Sequence, residues 1–300
     1  MLQHADFYPT RNESEQAMFP RQEPVIHSRG AQQTAGPLGK SQLDQFDRDG
    51  FLWFNGFFQP EEVDSFLGEL VTMAKDPNMR DREEVVMDAG REEIRSVFAM
   101  HQFSEAFDRM TREPRIVDMI HQILGSDVYI HQFRINSKTG FSGGGFEWHS
   151  DFETWHSEDG MPKMRAISAS IMLTENNPYN GPLMLIPGSH KQFVPCVGRT
   201  PEQNWKSSLK SQSIGVPPRS AIAQLAGDDG IAAPVGPAGS LLLFECNTLH
   251  ASNRNMSPWP RANLFFVYNS VDNQLGKPFS SPKPRPEYLA TRPQNVGRGF

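Results

Sequence analysis

The sequence predicts a mainly β fold, a jelly-roll core carried on N-terminal helices. Two observations predict it. From Asp127 onward, short β-rich runs follow one another with turn residues between them and no intervening helices. Helical periodicity, in contrast, lies before Gly125. Strands in such succession build an antiparallel sandwich or barrel, whereas alternating strands and helices would build a parallel sheet.

Residues 1–38 are polar and rich in Gly, Pro and Gln without sustained periodicity, and are expected to form a flexible N-terminal extension. One domain then spans 39–290, followed by a tail at 291–300. The run SQLDQFDRDGFLWF (41–54) mixes a short helix with an extended FLWF. Pro60 suits the first position of a helix, Glu61 and Glu62 suit its positive end, and Val63, Phe66, Leu67, Leu70 and Val71 recur at helical spacing. Glu105 to Leu124 reads as two helices broken at Pro114 and ended by Gly125. The β-rich runs are VYIHQFRIN, MRAISASIMLTE, GPLMLIPGSH, GSLLLFECN and RANLFFVYNSV, and the NPYNGP run is a turn by composition. Residues 192–238 form a long Pro/Gly/Ser-rich stretch of the kind that makes lids and binding loops, and the glycine-rich 140–146 is a second candidate lid.

Three hundred residues suffice for one large core, and the net charge of -6 argues against nucleic acid or an anionic membrane as partner. No apolar run approaches the ~20 residues of a membrane span. With two cysteines, Cys196 and Cys246, a disulfide scaffold or thiolate-rich metal site is excluded and a cytoplasmic setting is expected.

A His followed two residues later by an acidic residue is weak evidence for a metal site. Nine His and 35 acidic residues yield about one such pair by chance, and three occur: His4/Asp6, His149/Asp151 and His156/Glu158. The first lies in the polar extension, and the third runs into the turn signal Asp159-Gly160, which suggests a solvated loop. His149/Asp151 follows GFSGGGFEW, and on an extended segment residues i and i+2 point to one side. His250, just beyond the buried-strand pattern of GSLLLFECNTL, would complete a two-histidine, one-carboxylate facial triad that leaves coordination positions open. Closed structural zinc sites want a fourth ligand, and Cys246 is the nearby candidate for that alternative. Arg261, eleven residues past His250, could present its planar fork to a carboxylate inside the barrel, with Ser252 sharing it; the alternative is a surface arginine after SPWPR.

The order WHSD (148–151), IPGSHK (186–191), His250 and Arg261, together with the opening DRDGFLWFNGFFQPEEV, resembles the phytanoyl-CoA dioxygenase family. Within it, HQFRINSKTGFSGGGFEWHSDFETWHSEDGMP and AISASIMLTENNPYNGPLMLIPGSHK look like the ectoine-hydroxylating branch, over roughly residues 41–290. The resemblance implies a double-stranded β-helix and the hydroxylation of ectoine with Fe(II), 2-oxoglutarate and O₂. The alternative is the same chemistry on another small amino acid or solute. It also implies a homodimer and a role in osmotic stress. His149, Asp151 and His250 would bind iron; Arg261, Ser252, Lys138 and Ser170 would hold 2-oxoglutarate; Gln132, Thr154 and Trp155 would line the ectoine pocket.

Overall fold

The structure, a computed structural model, describes residues 4–28, 35–88, 93–141, 143–292 and 299–300. Strands are β1 (Phe19–Pro20), β2 (Phe51–Phe54), β3 (Val85–Met87), β4 (Ile94–Phe98), β5 (Val128–Lys138), β6 (Phe146–His149), β7 (Ala166–Met172), β8 (Leu183–Leu185), β9 (Gln192–Phe193), β10 (Leu241–Glu245), β11 (His250–Ser252) and β12 (Arg261–Ser270). Helices are α1 (Lys40–Asp49), α2 (Pro60–Ala74), α3 (Glu105–Thr111), α4 (Pro114–Leu124), α5 (Asp151–Thr154), α6 (Trp205–Ser208) and α7 (Arg219–Ala226). A major antiparallel sheet runs β2-β10-β7-β12-β5-β4-β3 and a minor one β6-β11-β8, the two layers of the expected jelly roll.

The alternation of the long strands decides which residues reach the interior between the sheets. Phe133 and Ile135 of β5, Leu264 and Phe266 of β12, and Ala169 and Ile171 of β7 share the outer face, with Leu241 and Leu243 of β10. That face packs against Phe46 of α1, Val63 of α2, Phe107 of α3 and Ile116 and Ile120 of α4. Each fully buried side chain of this size stabilises the fold by roughly 1.5–3 kcal/mol. The opposite row, Gln132, Arg134, Asn136 and Lys138 on β5 with Arg261, Asn263 and Phe265 on β12, faces the minor sheet. Polar groups on this second buried face have a use other than packing.

The helices end where the sequence signals them. Gln59 caps α2 reciprocally with Glu62, its N–H donating to the Glu62 carboxylate at 2.8 Å. α4 begins at Pro114 and stops at Gly125, φ 63°, whose N–H returns to the His121 carbonyl. Gly239 leads into β10 at φ 87°, where a Cβ would stand 2.3 Å from the Phe58 carbonyl oxygen.

Two regions differ from expectation. Residues 4–28, read as a flexible extension, lie against the body: Tyr8 and Arg11 are buried and β1 pairs with β9. Their polarity is matched by partners far along the chain, which composition does not reveal. The long 192–238 stretch is not structureless, since it contains β9, α6 and α7. At the other end, Phe300 exchanges two backbone hydrogen bonds with Val128, at 3.0 and 3.1 Å. Among the described residues no helix is long and apolar enough to cross a membrane.

Candidate metal centre

His149 ends β6 and His250 begins β11, and the two stand directly opposite in the antiparallel ladder. Their rings lie 4.2 Å apart between centroids. Asp151 completes the group, and one ligand atom from each residue lies within 4.8 Å of the others. Among the described residues this is the one group of His, Cys, Asp or Glu arranged to hold a metal ion. The His149 Nε2 to Asp151 Oδ1 distance is 3.7 Å, and the His250 Nε2 to Asp151 Oδ2 distance is 3.8 Å. The pair does not share an extended segment as expected. His149 closes the strand, Ser150 caps the next helix by accepting from the Glu153 N–H, and Asp151 is the first residue of α5. The convergence comes from this strand-to-helix corner.

The donor set fits a divalent metal. Nδ1 of His149 contacts the Glu147 carbonyl at 2.7 Å, and Nδ1 of His250 contacts the Thr248 carbonyl at 2.9 Å. A carbonyl can only accept, so each Nδ1 carries the proton and each Nε2 turns a lone pair toward Asp151. Burial pushes both imidazoles below their ordinary pKa, His250 to about 3, which keeps them neutral. Burial alone would raise the Asp151 pKa, but the Arg134 guanidinium at 3.6 Å outweighs it and holds the carboxyl below the usual range. Asp151 Oδ2 is buried with no hydrogen-bond partner among the described residues. Two neutral nitrogens and an ionised, unsatisfied oxygen suit iron(II) or a similar cation. Cys246 is fully buried, its Sγ contacts Glu245, and it stays outside the group, so a sulfur-completed zinc site is excluded.

Beside the triad lies a cluster of buried cationic and hydroxyl side chains. Arg261 is only 2% exposed and lines the same cavity. With the Asn263 amide turned so that its oxygen faces the guanidinium, Nη2 donates to it at 2.8 Å. No carboxylate of the described residues pairs with Arg261, and desolvation lowers its pKa to about 10. Lys138 stands opposite Arg261 in the β5–β12 ladder and donates from Nζ to Ser252 Oγ at 2.8 Å and to the Asn253 carbonyl. Burial first, then the charges of Arg261 and Arg95, lower its pKa to about 6. Its side chain is buried. Ser252 lines the cavity, while Ser170 is buried on β7 with an unpartnered Oγ.

Gln132, Thr154 and Trp155 line the same cavity. Gln132 donates to the Leu289 carbonyl at 2.7 Å and accepts from Arg134 Nη1 at 2.7 Å. Trp155 opens a π-helical turn, Trp155–Asp159, that continues α5. His156 and Glu158, expected in a solvated loop, belong to that turn and are fully buried. Sequence reading missed Arg134, Asn204 and Arg285, which also line the cavity. Arg134 was legible in principle, two residues past Gln132 on one strand face. Asn204 and Arg285 sit in loops without periodicity; Arg285 is held by Asp159 through hydrogen bonds of 2.8 and 2.6 Å.

The phytanoyl-CoA dioxygenase (PhyH) family profile matches residues 46–263. The ectoine dioxygenase of Bordetella bronchiseptica is 49% identical over 287 residues, covering 96% of this chain and 92% of that protein. That of Halomonas elongata is 50% identical over 294 residues, covering 97% and 87%. Among solved structures, EctD from S. alaskensis with 2-oxoglutarate and 5-hydroxyectoine superposes with a TM-score of 0.86 at 43% identity, covering 97% of this chain and 96% of that one. The same protein with bound Fe gives 0.85 at 42% identity over 97% and 96%. The profile spans the stretch that holds His149, Asp151, His250 and Arg261, and with relatives about half identical over nearly the whole chain, the chain belongs to the phytanoyl-CoA dioxygenase family.

Proposed function

We propose that the chain hydroxylates ectoine to 5-hydroxyectoine, consuming 2-oxoglutarate and O₂ at iron(II) and releasing succinate and CO₂. The carrying observation is a buried arginine with no carboxylate partner, Arg261, in the cavity wall that also holds the His149–Asp151–His250 group. A site of this kind accepts a metal and a dicarboxylate together. The names of the relatives supply the organic substrate: ectoine dioxygenases at 49–50% identity and a structure holding 5-hydroxyectoine.

In this reading His149, Asp151 and His250 hold iron, which with the cosubstrate and O₂ supplies the oxidising chemistry. Arg261 takes the distal carboxylate of 2-oxoglutarate through its fork, with Ser252, Lys138 and Ser170 completing the polar wall. Arg134 keeps Asp151 ionised. Gln132 has one amide proton committed to Leu289 and one left for the ectoine carboxylate. Trp155 offers a ring face to the delocalised amidinium, and Thr154 packs beside it. Residues 204–214 form one wall of the cavity and exclude water from it. The catalytic body spans 39–290, and the enzyme works in the cytoplasm as a homodimer in osmoprotection.

The test is mass spectrometry of ectoine incubated with the protein, iron(II), 2-oxoglutarate and air, with succinate measured in parallel. Gain of one oxygen atom by ectoine, matched by succinate and dependent on each component, is expected. Succinate release triggered by a different small solute, with ectoine unchanged, would move the chemistry to that substrate.

A further inference from the structure

Residues 4–28 do more than cover the barrel. Arg11 reaches beneath the metal-bearing corner, its Nε donating to Glu153 Oε1 at 2.6 Å and its Nη2 to Glu153 Oε2 at 2.8 Å. Both side chains are 1% exposed. Glu153 sits two residues after Asp151 on α5 and also accepts from Thr10 Oγ1 at 2.8 Å. Nη1 of Arg11 approaches Glu158 Oε1 at 3.4 Å, at the far end of the π-helical turn, and donates to Thr200 Oγ1 at 3.4 Å. Glu158 in turn accepts from Asn204 Nδ2 at 2.7 Å.

The backbone of the arm binds the same loop. Asn12 N donates to the Cys196 carbonyl at 3.2 Å, Gly198 N donates to the Asn12 carbonyl at 2.9 Å, and Cys196 N donates to Thr10 Oγ1 at 2.9 Å. Gly215 closes over the ion pair so tightly that a Cβ there would stand 2.6 Å from Glu153 Oε2 and 2.7 Å from Arg11 Nη2. Arg11 itself is held at φ 60°, in the left-handed region that residues other than glycine seldom adopt. One guanidinium thus touches both ends of the helix that carries Asp151, Thr154 and Trp155, and the segment 196–215 that walls the cavity opposite.

We propose that Arg11 is a positioning residue of the active site: it locks residues 151–159 and 196–215 into one register, so the N-terminal arm sets the shape of the organic-substrate pocket without touching the substrate. The kinetic part of the test rests on the ectoine reading above; the exchange part does not.

The experiment compares the full-length protein with Arg11→Gln and Arg11→Lys. In the metal-free proteins, amide hydrogen exchange is followed by peptide. Arg11→Gln is expected to speed exchange at least tenfold in both 152–160 and 196–215, with β12 unchanged, and Arg11→Lys to recover part of the protection. Exchange rising in 4–28 alone overturns the proposal, because the arm would then be a passive cover. If Arg11→Gln does not fold, Arg11→Lys decides by the same comparison. In turnover with iron(II), the KM for ectoine is expected to rise about tenfold while that for 2-oxoglutarate stays within twofold, since Arg261 and Lys138 stand on β12 and β5. A fall in kcat with both KM values unchanged marks simple loss of folded enzyme and also overturns it. Absence of ectoine turnover in the unmodified protein would count against the substrate reading and leave the exchange result to stand on its own.

Discussion

Arg261 allows stability and function to be set against each other in one substitution. Its pKa falls from the ordinary guanidinium value to about 10 because burial strips the guanidinium of water with no carboxylate of the described residues to replace it. A group depressed in the fold destabilises it at every pH where the group is charged, here throughout the range below about 10. The cost of keeping this charge buried is on the order of 3 kcal/mol, at ~1.4 kcal/mol for each tenfold change in proton affinity. Arg261→Met keeps most of the volume, removes the buried charge, and gives up the 2.8 Å hydrogen bond to Asn263, a loss of about 1 kcal/mol. The net expectation is about 2 kcal/mol of added stability, a rise of a few degrees in Tm for the cosubstrate-free protein. The same variant loses a charge-assisted, bidentate partner for a dicarboxylate, about 2–3 kcal/mol, or roughly 30- to 150-fold in apparent 2-oxoglutarate affinity. Calorimetry of the metal-free protein and a 2-oxoglutarate titration under turnover measure the two effects. A Tm lower than that of the unmodified protein would show that Arg261 is a structural residue, and a 2-oxoglutarate affinity within threefold would place the anion elsewhere.

Four further outcomes follow from the same geometry. His149→Ala and Asp151→Ala are each expected to abolish turnover while circular dichroism stays native, since both sheets are held by packing and ladders that do not need a metal; residual hydroxylation in either would undo the triad assignment. Gln132→Ala should raise the KM for ectoine and leave that for 2-oxoglutarate unchanged; equal effects on both would remove Gln132 from the organic pocket. Burial lowers the pKa of His27 to about 3, of His101 to about 4 and of His190 to about 3, all from 6.5. Their contribution is complete above pH 6.5 and is lost as pH falls toward 4, so one unit below 6.5 each costs about 1.4 kcal/mol, and a Tm equal at pH 7.5 and 5.5 would refute it. Gly239→Ala, at φ 87° against the Phe58 carbonyl, is expected to lose at least ~2 kcal/mol in urea unfolding, and an unchanged midpoint would deny the close approach.

What could be read from the sequence was whatever local periodicity or a short motif records. The strong β runs became β5, β7, β8, β10 and β12, and Pro60, Pro114 and Gly125 punctuated the helices where their backbone chemistry requires. His149, His250 and Arg261 were legible because each stands at a strand end, where a pattern stops and a polar residue begins, and Asp151 because it follows His149 by two residues. Arg11, Glu153, His156 and Glu158 were not. Their hydrophilic character reads as solvation until the partner is known, and Arg11 meets Glu153 from 142 residues away. The corner at Ser150 was a different miss: the run Ser150-Asp-Phe-Glu153 carries the S-x-x-E signature of a capped helix start, which the reading of a continued strand passed over.

The opposition of His149 and His250 across two short strands has a consequence for how this centre tolerates change. Their alignment is set by ladder pairing, and a slip of one residue would turn an imidazole to the other side of the sheet. Of the hundred residues threaded between them, Asp151 and the β8 strand that pairs with His250 through Leu185 share that constraint, and the exposed turns do not. Length is expected to be gained or shed most easily at exposed Tyr179, in the turn on the pathway from one imidazole to the other, with neither ring displaced. Inserting a single residue between Thr248 and His250 would dismantle the centre outright. The spacing a motif search measures along the chain is thus less constrained than the pairing across it that holds the centre together.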